Sequence, residues 1–330
     1  MIDRRALAGA LTAALMTPPL TALGQNTARV YRVGILRPTA PPLSASEAMV
    51  ATGITAALRE IGYVEGRNLV IDARWAAGQL DRLPALAREL VQAKVDVILA
   101  VGSPAVRAAK DATATIPIVL WGNFDPVALG LVASLAQPGG NVTGVLIAPD
   151  GTLAGKKIEL LKAAVPRATR MALLAPEDPG FRLQVQEART AAVALGIDLL
   201  VTEVGGGDYE RAFAAIAAQR PGALFVGAHT SFSRDREQII ALAAKHRLPA
   251  MYEWREQVAV GGLMSYGSSL PVFYQRLASF VDRILKGANP GTMAVERPTR
   301  FELVINRKTA RALGLTIPQS LLLRADEVIE

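Results

Sequence analysis

The feature that most constrains the fold is a regular alternation of short apolar segments with longer amphipathic ones. Val95–Val101, for example, contains a single charged residue, and such apolar runs are typical of strands in parallel sheets that are covered on both faces. In the first half, the predicted strands are Val30–Leu36, Asn68–Arg74, Val95–Val101, Pro117–Trp121 and Val142–Ile147. The predicted helices are Ser46–Ile61, Asp81–Ala93, Ser103–Asp111 and Val127–Leu135.

The same alternation begins again near residue 153. The predicted strands of this half are Arg170–Leu174, Ile197–Val204, Ala223–Val226, Ala250–Tyr252 and Gly262–Ser265. The predicted helices are Leu153–Ala164, Arg182–Leu195, Tyr209–Ala218, Ser233–His246 and Val272–Leu285, followed by a strand and a short helix in the tail. The 330 residues suffice for two domains of ordinary size. The sequence therefore predicts an α/β protein with two doubly wound, Rossmann-like lobes and a central ligand cleft.

Residues 1–24 have the features of a secretory signal peptide. Arg4 and Arg5 supply positive charge, and Ala6–Met16 is a short apolar core. Ala22 and Gly24 are the small residues that a signal peptidase requires, so we expect cleavage after Gly24 and a periplasmic protein. The competing interpretation is that this stretch forms an N-terminal helix of the fold.

The amino-acid composition excludes several kinds of chemistry. The chain has no cysteine, so it has no disulfide, no thiolate nucleophile and no lipidated cysteine, and we do not expect a lipoprotein. His229 and His246 are the only histidines and lack metal-ligand spacing, so no metal site is expected. Dinucleotide-binding, phosphate-loop and nucleophile-elbow motifs are missing, so the sequence predicts neither a cofactor nor a catalytic group.

The net charge of +7 comes from basic residues that are scattered along the chain. Nucleic-acid-binding proteins usually cluster such residues on one stripe and interleave them with aromatic side chains. Neither feature is present, so the charge indicates a solvated basic surface and no nucleic-acid partner.

Polar and aromatic residues follow the predicted strands, and ligands of open α/β sheets bind at this carboxyl end. In the first half these residues are Arg37, Trp75, Ser103 and the loop 121–125. In the second half they lie at 175–181, 228–232, 252–254 and 265–266. If the two sheets face each other, all these loops line one cleft.

Gly102-Ser103-Pro104 is the sharpest local motif in this set. Gly102 permits a tight turn, Ser103 suits the helix N-cap, and Pro104 suits the first helical position. A helix N-terminus that faces the cleft would bind a carboxylate through its free N–H groups. The alternative is an ordinary helix cap without a ligand.

The remaining candidates also have two interpretations. Asp125 is either an acceptor for a ligand ammonium group or the N-cap of the next helix. Glu253 is a second candidate for an ammonium group, from the opposite half of the chain. Tyr252 and Tyr266 either contact the ligand or pack in the protein core.

Several longer segments resemble the ABC transporter substrate-binding proteins of the tryptophan/tyrosine-binding type. The segments that carry the resemblance are Asp125–Gly144, Leu248–Glu253, Gly261–Gly267, Phe301–Asn306, Ala312–Pro318 and Ala325–Ile329. They are distributed over nearly the whole chain after the leader. The lack of cysteine departs from the many lipoproteins of this family and is similar to its freely soluble periplasmic members.

The resemblance implies the class I periplasmic-binding-protein fold, in which three crossovers join two lobes that close on the ligand. It implies an N-terminal lobe of residues 30–146 plus 271–297 and a C-terminal lobe of residues 147–270 plus 298–330. It also implies that the loops around Ser103 and Asn123 face the ligand, together with loops of the second half. The complete set of candidate ligand-binding residues is Arg37, Gly102, Ser103, Asn123, Asp125, His229, Phe232, Tyr252, Glu253, Ser265 and Tyr266.

The sequence and the resemblance together predict a monomeric solute-binding component of an ABC importer. Its partners would be a small amino acid or organic acid, with an aromatic group as one option, and a permease in the inner membrane. Two other classes of protein are the alternatives: an extracytoplasmic sensing domain and an exported enzyme on the same fold. The lack of a catalytic constellation disfavours the enzyme.

Overall fold

The computed structural model describes residues 29–41, 45–147 and 152–330, so the predicted signal peptide lies outside the described residues. The first sheet consists of β1 (Tyr31–Arg37), β2 (Leu69–Trp75), β3 (Val97–Val101), β4 (Ile118–Gly122) and β5 (Val142–Leu146). Its helices are α1 (Ala45–Glu60), α2 (Leu83–Gln92) and α3 (Ser103–Ala112). All neighbouring strands are parallel, in the order β2-β1-β3-β4-β5.

The second sheet has seven strands within the described part of the chain. They are β6 (Arg170–Pro176), β7 (Asp198–Val204), β8 (Ala223–Val226), β9 (Ala250–Tyr252), β10 (Met264–Gly267), β11 (Glu302–Asn306) and β12 (Glu327–Ile329). The accompanying helices are α4 (Thr152–Ala164), α5 (Arg182–Ala194), α6 (Tyr209–Ala218), α7 (Thr230–Arg234), α8 (Arg236–Lys245), α9 (Arg255–Ala259), α10 (Leu270–Leu285), α11 (Arg307–Ala312) and α12 (Gln319–Leu322). The strand order is β12-β11-β10-β9-β8-β6-β7, and of these seven strands only β10 and β11 pair in antiparallel fashion.

These two sheets confirm the predicted α/β fold. Every residue of β3, β4 and β8 is buried, as expected for strands that helices cover on both faces. The antiparallel strand β11 departs from the parallel arrangement. The chain leaves the second sheet after β10, forms α10, and then returns as β11, which runs beside β10 in the opposite direction.

The predicted helix Val127–Leu135 is wrong, because the structure has turns and bends there. Gly130 adopts a positive φ of 65°, which interrupts a right-handed helix after one turn. The N–H of Leu131 donates to the carbonyl of Pro126, and Ser134 bonds with Gln137 in a local turn. The apolar residues that suggested a helix, such as Leu131 and Val132, are still buried, which explains the misleading periodicity.

Helix α10 follows a strand of the second sheet but packs on the first. Its buried face, with Phe273 and Tyr274, belongs to the same core cluster as Leu99 of β3. The chain then runs along β5, where the carbonyl of Met293 accepts a hydrogen bond of 2.6 Å from the Thr143 hydroxyl.

Two helical glycines offer a matched test of this packing. A Cβ on Gly53 in α1 would lie 2.2 Å from the Tyr274 ring of α10, whereas a Cβ on Gly155 in α4 would make an ordinary 3.5 Å contact. Alanine is favoured over glycine in a helix by about 0.5–1 kcal/mol. Gly155→Ala should therefore be neutral or slightly stabilising, while Gly53→Ala should destabilise by about 1–3 kcal/mol because of overpacking. Urea denaturation measures both, and equal effects would contradict the contact between α1 and α10.

Candidate ligand-binding site between the lobes

A small cavity lies where loops of the two sheets meet. Its volume is about 10 Å³, which is room for roughly one water molecule. The ring of Trp254, in the loop after β9, lies 6.4 Å from that of Phe273 in α10, and the Trp121 ring lies 5.7 Å from the Phe273 ring. The lining residues are Trp121, Ile147, Ala228, His229, Thr230, Ser233, Glu253, Trp254 and Leu270.

Three of the lining residues present buried polar atoms that have no hydrogen-bond partner among the described residues. They are the indole Nε1 of Trp121, the hydroxyl of Thr230 and Oε1 of Glu253. Buried polar atoms are nearly always paired, and leaving one unpaired costs about 1–3 kcal/mol. Three such atoms around one cavity make this the candidate ligand-binding site.

The N-terminus of α3 lies beside this cavity, and the structure corrects its predicted cap. Gly102, with φ of 80°, is the N-cap, and Ser103 is the first helical residue. The Gly102 N–H donates to the Trp121 carbonyl at 2.7 Å, which fixes the turn against β4. The Ser103 side chain is therefore free from capping and points across to the second sheet.

The partner of Ser103 is Asp178, in the loop after β6. The Ser103 hydroxyl donates to Oδ1 of Asp178 at 3.3 Å, and the Gly180 N–H donates to the same oxygen at 2.7 Å. Nε2 of His229 lies 3.5 Å from Oδ2. Burial favours the neutral acid, but the His229 contact and these hydrogen bonds outweigh it and hold the pKa of Asp178 below its usual value. The helix start thus faces a carboxylate of the protein itself, whereas the carboxylate that the sequence analysis predicted there belongs to a ligand and stays a prediction.

Glu253 forms a buried ion pair with Lys157 of α4. Both side chains are at most 2% exposed, and Oε2 of Glu253 accepts the hydrogen bond from the Lys157 ammonium group. Burial raises the pKa of Glu253, and the Lys157 charge opposes that shift. The sequence predicted Glu253 as an acceptor for a ligand ammonium group, but the chain itself supplies a cation here.

Arg37 is buried at the end of β1. Its guanidinium group lies 5.2 Å from the centre of the Trp75 ring and 4.8 Å from that of Trp121. Burial lowers the pKa of Arg37 to about 10, so the side chain remains charged at neutral pH. The guanidinium group thereby holds the cavity-lining indole of Trp121 in place.

Asn123 and Asp125 are half-buried in the loop after β4. Oδ1 of Asp125 accepts hydrogen bonds from the N–H groups of Val127 and Ala128, at 2.9 and 3.0 Å. Asp125 therefore stabilises a turn with the hydrogen bonds of a cap, but the helix that it was predicted to cap does not form. Ligand contacts of either residue remain predictions.

Four other predicted site residues make packing contacts within the second lobe. Phe232 packs against the rings of Tyr209 and His229, and Tyr252 lies in the same core cluster. Ser265 is fully buried within β10, and Tyr266 packs against Phe301. Of the predicted residues, His229 and Glu253 line the cavity. Ser103 lies near them, because Asp178 contacts both Ser103 and His229, and Gly102 precedes Ser103 in the chain.

Sequence analysis did not single out Asp178, Thr230, Lys157 or the indole Nε1 of Trp121. The first two lie in loops that follow predicted strands, which the sequence analysis marked as candidate ligand loops. Only the three-dimensional contacts distinguish these two residues from their neighbours. Lys157 lies 96 residues from its partner, on a helix with an ordinary charged pattern, so no local signal identifies it.

A sequence profile of ABC transporter substrate binding proteins matches residues 43–329. The chain belongs to this family. Proteins of this family are located outside the cytoplasm, where they bind the substrate of a transporter. They are ligand-binding proteins and not enzymes. Among the described residues, no helix is long and apolar enough to cross a membrane, and no three acidic or histidine side chains could together hold a metal ion.

Individual relatives support the same assignment. A tyrosine-binding protein of Clostridioides difficile is 25% identical over 265 residues, which are 80% of this chain and 76% of that protein. A conserved domain protein of Vibrio cholerae is 27% identical with a TM-score of 0.81. A Streptococcus pneumoniae domain in complex with L-tryptophan is 25% identical with a TM-score of 0.79. Both structures match 91% of this chain and 100% of their own length.

The Lys157–Glu253 pair leads to a prediction about stability. Lys157→Met leaves a buried carboxylate without its cation, so we expect a loss of about 3–5 kcal/mol. Removing both charges in Lys157→Met/Glu253→Gln should recover most of that loss. Lys156, the neighbouring residue, forms an exposed pair with Glu159, and Lys156→Met should cost less than about 1 kcal/mol. Urea denaturation measures the free energy of unfolding of the three variants. Equal losses for Lys157→Met and Lys156→Met would show that the buried pair does not contribute in this way.

Proposed function

We propose that this substrate-binding protein captures an amino acid with an aromatic side chain between its lobes and delivers it to an ABC importer. The observation that carries the proposal is the set of three unpartnered polar atoms, among the described residues, around a cavity that two indole rings flank. Apolar walls with a few convergent polar groups are typical of small-molecule sites. An aromatic ring with a hydrogen-bonding edge matches this combination of Trp121, Thr230, Glu253 and Trp254.

The ligand carboxylate has a separate site at the start of α3. The position of the Asp178 carboxylate against Ser103 supports this assignment, because the Ser103 hydroxyl there already donates to a carboxylate and becomes available to that of a ligand when the lobes separate. The tyrosine-binding and tryptophan-bound relatives are consistent with such a ligand.

Binding requires the lobes to open, since a cavity of about 10 Å³ cannot hold an amino acid. The moving bodies are the two predicted lobes, residues 30–146 plus 271–297 and residues 147–270 plus 298–330. Ligand that contacts both lobes shifts the population toward the closed form, which the permease then recognises. We further propose that residues 1–24 direct export to the periplasm and that the mature protein acts as a monomer.

A ligand screen tests the proposed function. We expect L-tryptophan or L-tyrosine to raise the thermal stability of the mature protein, by about 2.7 kcal/mol at a concentration of one hundred times Kd. Mass spectrometry should recover the ligand unchanged. Aliphatic amino acids serve as controls. Stabilisation by none of the aromatic amino acids would refute the aromatic ligand class.

A second prediction concerns lobe closure. A Cβ on Gly180 would lie 3.3 Å from the Cβ of Ser103 in the other lobe, close to the spacing of about 3.5–4.5 Å in disulfides. The chain has no other cysteine to interfere. Ser103→Cys/Gly180→Cys should therefore form a disulfide that locks the lobes together. The oxidised protein should bind L-tryptophan or L-tyrosine at least about 100-fold more weakly than the same protein after reduction, as measured by titration calorimetry. Equal binding by the two forms would show that the lobes need not open.

A further inference from the structure

We propose that a second cavity, beside the segments that connect the two sheets, binds a small organic carboxylate. Its volume is about 390 Å³, which lies in the usual range for small-molecule sites. Within the described part of the chain, no residue lines both this cavity and the one near Trp121 and Trp254. The second cavity is therefore separate from the site of the proposed function and does not depend on it.

Two connecting segments border the second cavity. The first is Ser268 and Ser269, which link β10 of the second sheet to α10 on the first sheet. The second is residues 296–300, which lead from the edge of β5 to β11. Val145 of β5 and Glu296 form a β-bridge that fixes the start of this segment. Since β5 and β11 both contribute to the lining, a molecule in the cavity would contact elements of both sheets.

The side chain that points to a ligand is Ser268, which lines the second cavity. Ser268 is only 8% exposed, and its hydroxyl has no hydrogen-bond partner among the described residues. Buried hydroxyl groups are nearly always paired, so an unpaired one at a cavity requires an explanation. A ligand atom that accepts the hydrogen of this hydroxyl would supply the missing partner.

The first turn of α10 adds further donors beside Ser268. Ser269 is the N-cap, but its side chain makes no capping hydrogen bond, so it leaves the N–H groups of the first turn available. Pro271 has no N–H group, and the donors at this helix end are therefore those of Leu270 and Val272. The N-terminus of this 16-residue helix also carries a partial positive charge. Together these donors favour a negatively charged oxygen.

The charged side chains around the second cavity have a positive balance. Three of them are arginines, Arg276, Arg297 and Arg300, and two are glutamates, Glu296 and Glu302. Arg276 lies 4.0 Å from Glu296, and both side chains are accessible to water, which screens this pair. Arg300 is exposed and forms no ion pair within the described part of the chain. A balance of one positive charge matches a single carboxylate better than a cation or a doubly charged anion.

The remaining walls of the second cavity are apolar. Val145, Val272 and Pro298 line it, as does the buried Phe273. A small inorganic anion would leave these walls uncovered. A carboxylate with a short hydrocarbon chain would cover them while its charged end binds at Ser268 and the start of α10.

Hexanoate is the probe, because it has a carboxylate and an apolar chain but neither an aromatic ring nor an ammonium group. Hexanamide is a neutral control of nearly the same shape. Titration calorimetry of the mature protein should show that hexanoate binds at least about 10-fold more tightly than hexanamide. Hexylammonium, which has the opposite charge, should bind more weakly than either. Equal binding of hexanoate and hexanamide, or no binding of hexanoate, would overturn the inference.

Two variants locate the bound hexanoate. Ser268→Ala should weaken hexanoate binding about 10-fold or more, because it removes a hydrogen bond to a charged group. The same variant should be at least as stable to heat as the parent, since the hydroxyl has no partner in the protein to lose. Arg300→Gln should weaken binding about 2- to 5-fold, and less at high salt, because Arg300 is exposed.

The control is Arg88→Gln, which changes an exposed arginine of α2 that does not line the cavity and should bind hexanoate like the parent. If Ser268→Ala and Arg300→Gln also bind hexanoate like the parent, the carboxylate lies elsewhere and the inference is wrong.

A competition experiment separates the two cavities. Hexanoate should still bind in the presence of excess L-tryptophan, because the two cavities share no lining residue among those described. Displacement of hexanoate by L-tryptophan would place it in the cavity near Trp121 and contradict a second site. If hexanoate binds as expected but neither L-tryptophan nor L-tyrosine does, the proposed function fails while the second site stands.

Discussion

The constraint on which this structure depends is the burial of both faces of two mainly parallel sheets. Strand β3 is apolar along its whole length, and β4 carries a single polar side-chain atom, the indole Nε1 of Trp121 near its carboxyl end, so the faces of the sheet offer almost nothing polar to a ligand. Polar side chains are therefore displaced to the loops at the carboxyl ends of the strands. Because α10 returns from the second sheet to pack on the first, the two lobes are held with these ends near each other. The cavity between Trp121 and Trp254 is a consequence of that arrangement.

The buried charges near the cavity divide into two kinds. Lys157 and Glu253 neutralise each other inside the second lobe, and Arg37 lies against two indole rings inside the first. These side chains support the walls of the site and keep its aromatic surfaces in place. Asp178 is different, because its neighbours stabilise the ionised form through hydrogen bonds instead of a permanent cation. The walls of the cavity therefore carry little net charge, and Asp178 is one negative group beside the lining residue His229.

The element pattern was largely predictable because burial imposes a simple periodicity on the sequence. The predicted strands Val142–Ile147 and Ala223–Val226, for example, differ from β5 and β8 by at most one residue at either end. The prediction failed at Val127–Leu135, where apolar residues are buried from a turn and Gly130 prevents the helix. The spacing of apolar residues shows which residues are buried. It identifies a helix only where every residue of the segment adopts the helical backbone conformation.

The candidate site was predictable as a set of loops but not as a set of contacts. Because ligands of open α/β sheets bind at the carboxyl ends of the strands, the sequence analysis marked the loops of Ser103, Asp178 and Thr230, which lie in different parts of the chain. The sequence could not show that Ser103 and Asp178 are in contact, since they are 75 residues apart and follow strands of different sheets. Nor could it separate Tyr252, which packs in the core, from the neighbouring Glu253, which lines the cavity. Adjacent side chains of an extended chain point to opposite faces, so a prediction that names only the loop includes both Tyr252 and Glu253.

The unpartnered atoms also suggest why closure would depend on the ligand. With the lobes together, Trp121 Nε1, Thr230 Oγ1 and Glu253 Oε1 are shielded from solvent without a partner among the described residues, and each costs about 1–3 kcal/mol. Opening the lobes would let water satisfy these atoms, so the closed form without ligand is disfavoured by this term. The Ser103–Asp178 hydrogen bond acts in the opposite direction and stabilises the closed form. A ligand that satisfies the three atoms removes the cost of closure and supplies its own contacts to both lobes. Under the proposed function, the closed population would then rise with ligand concentration, and the permease would read that change.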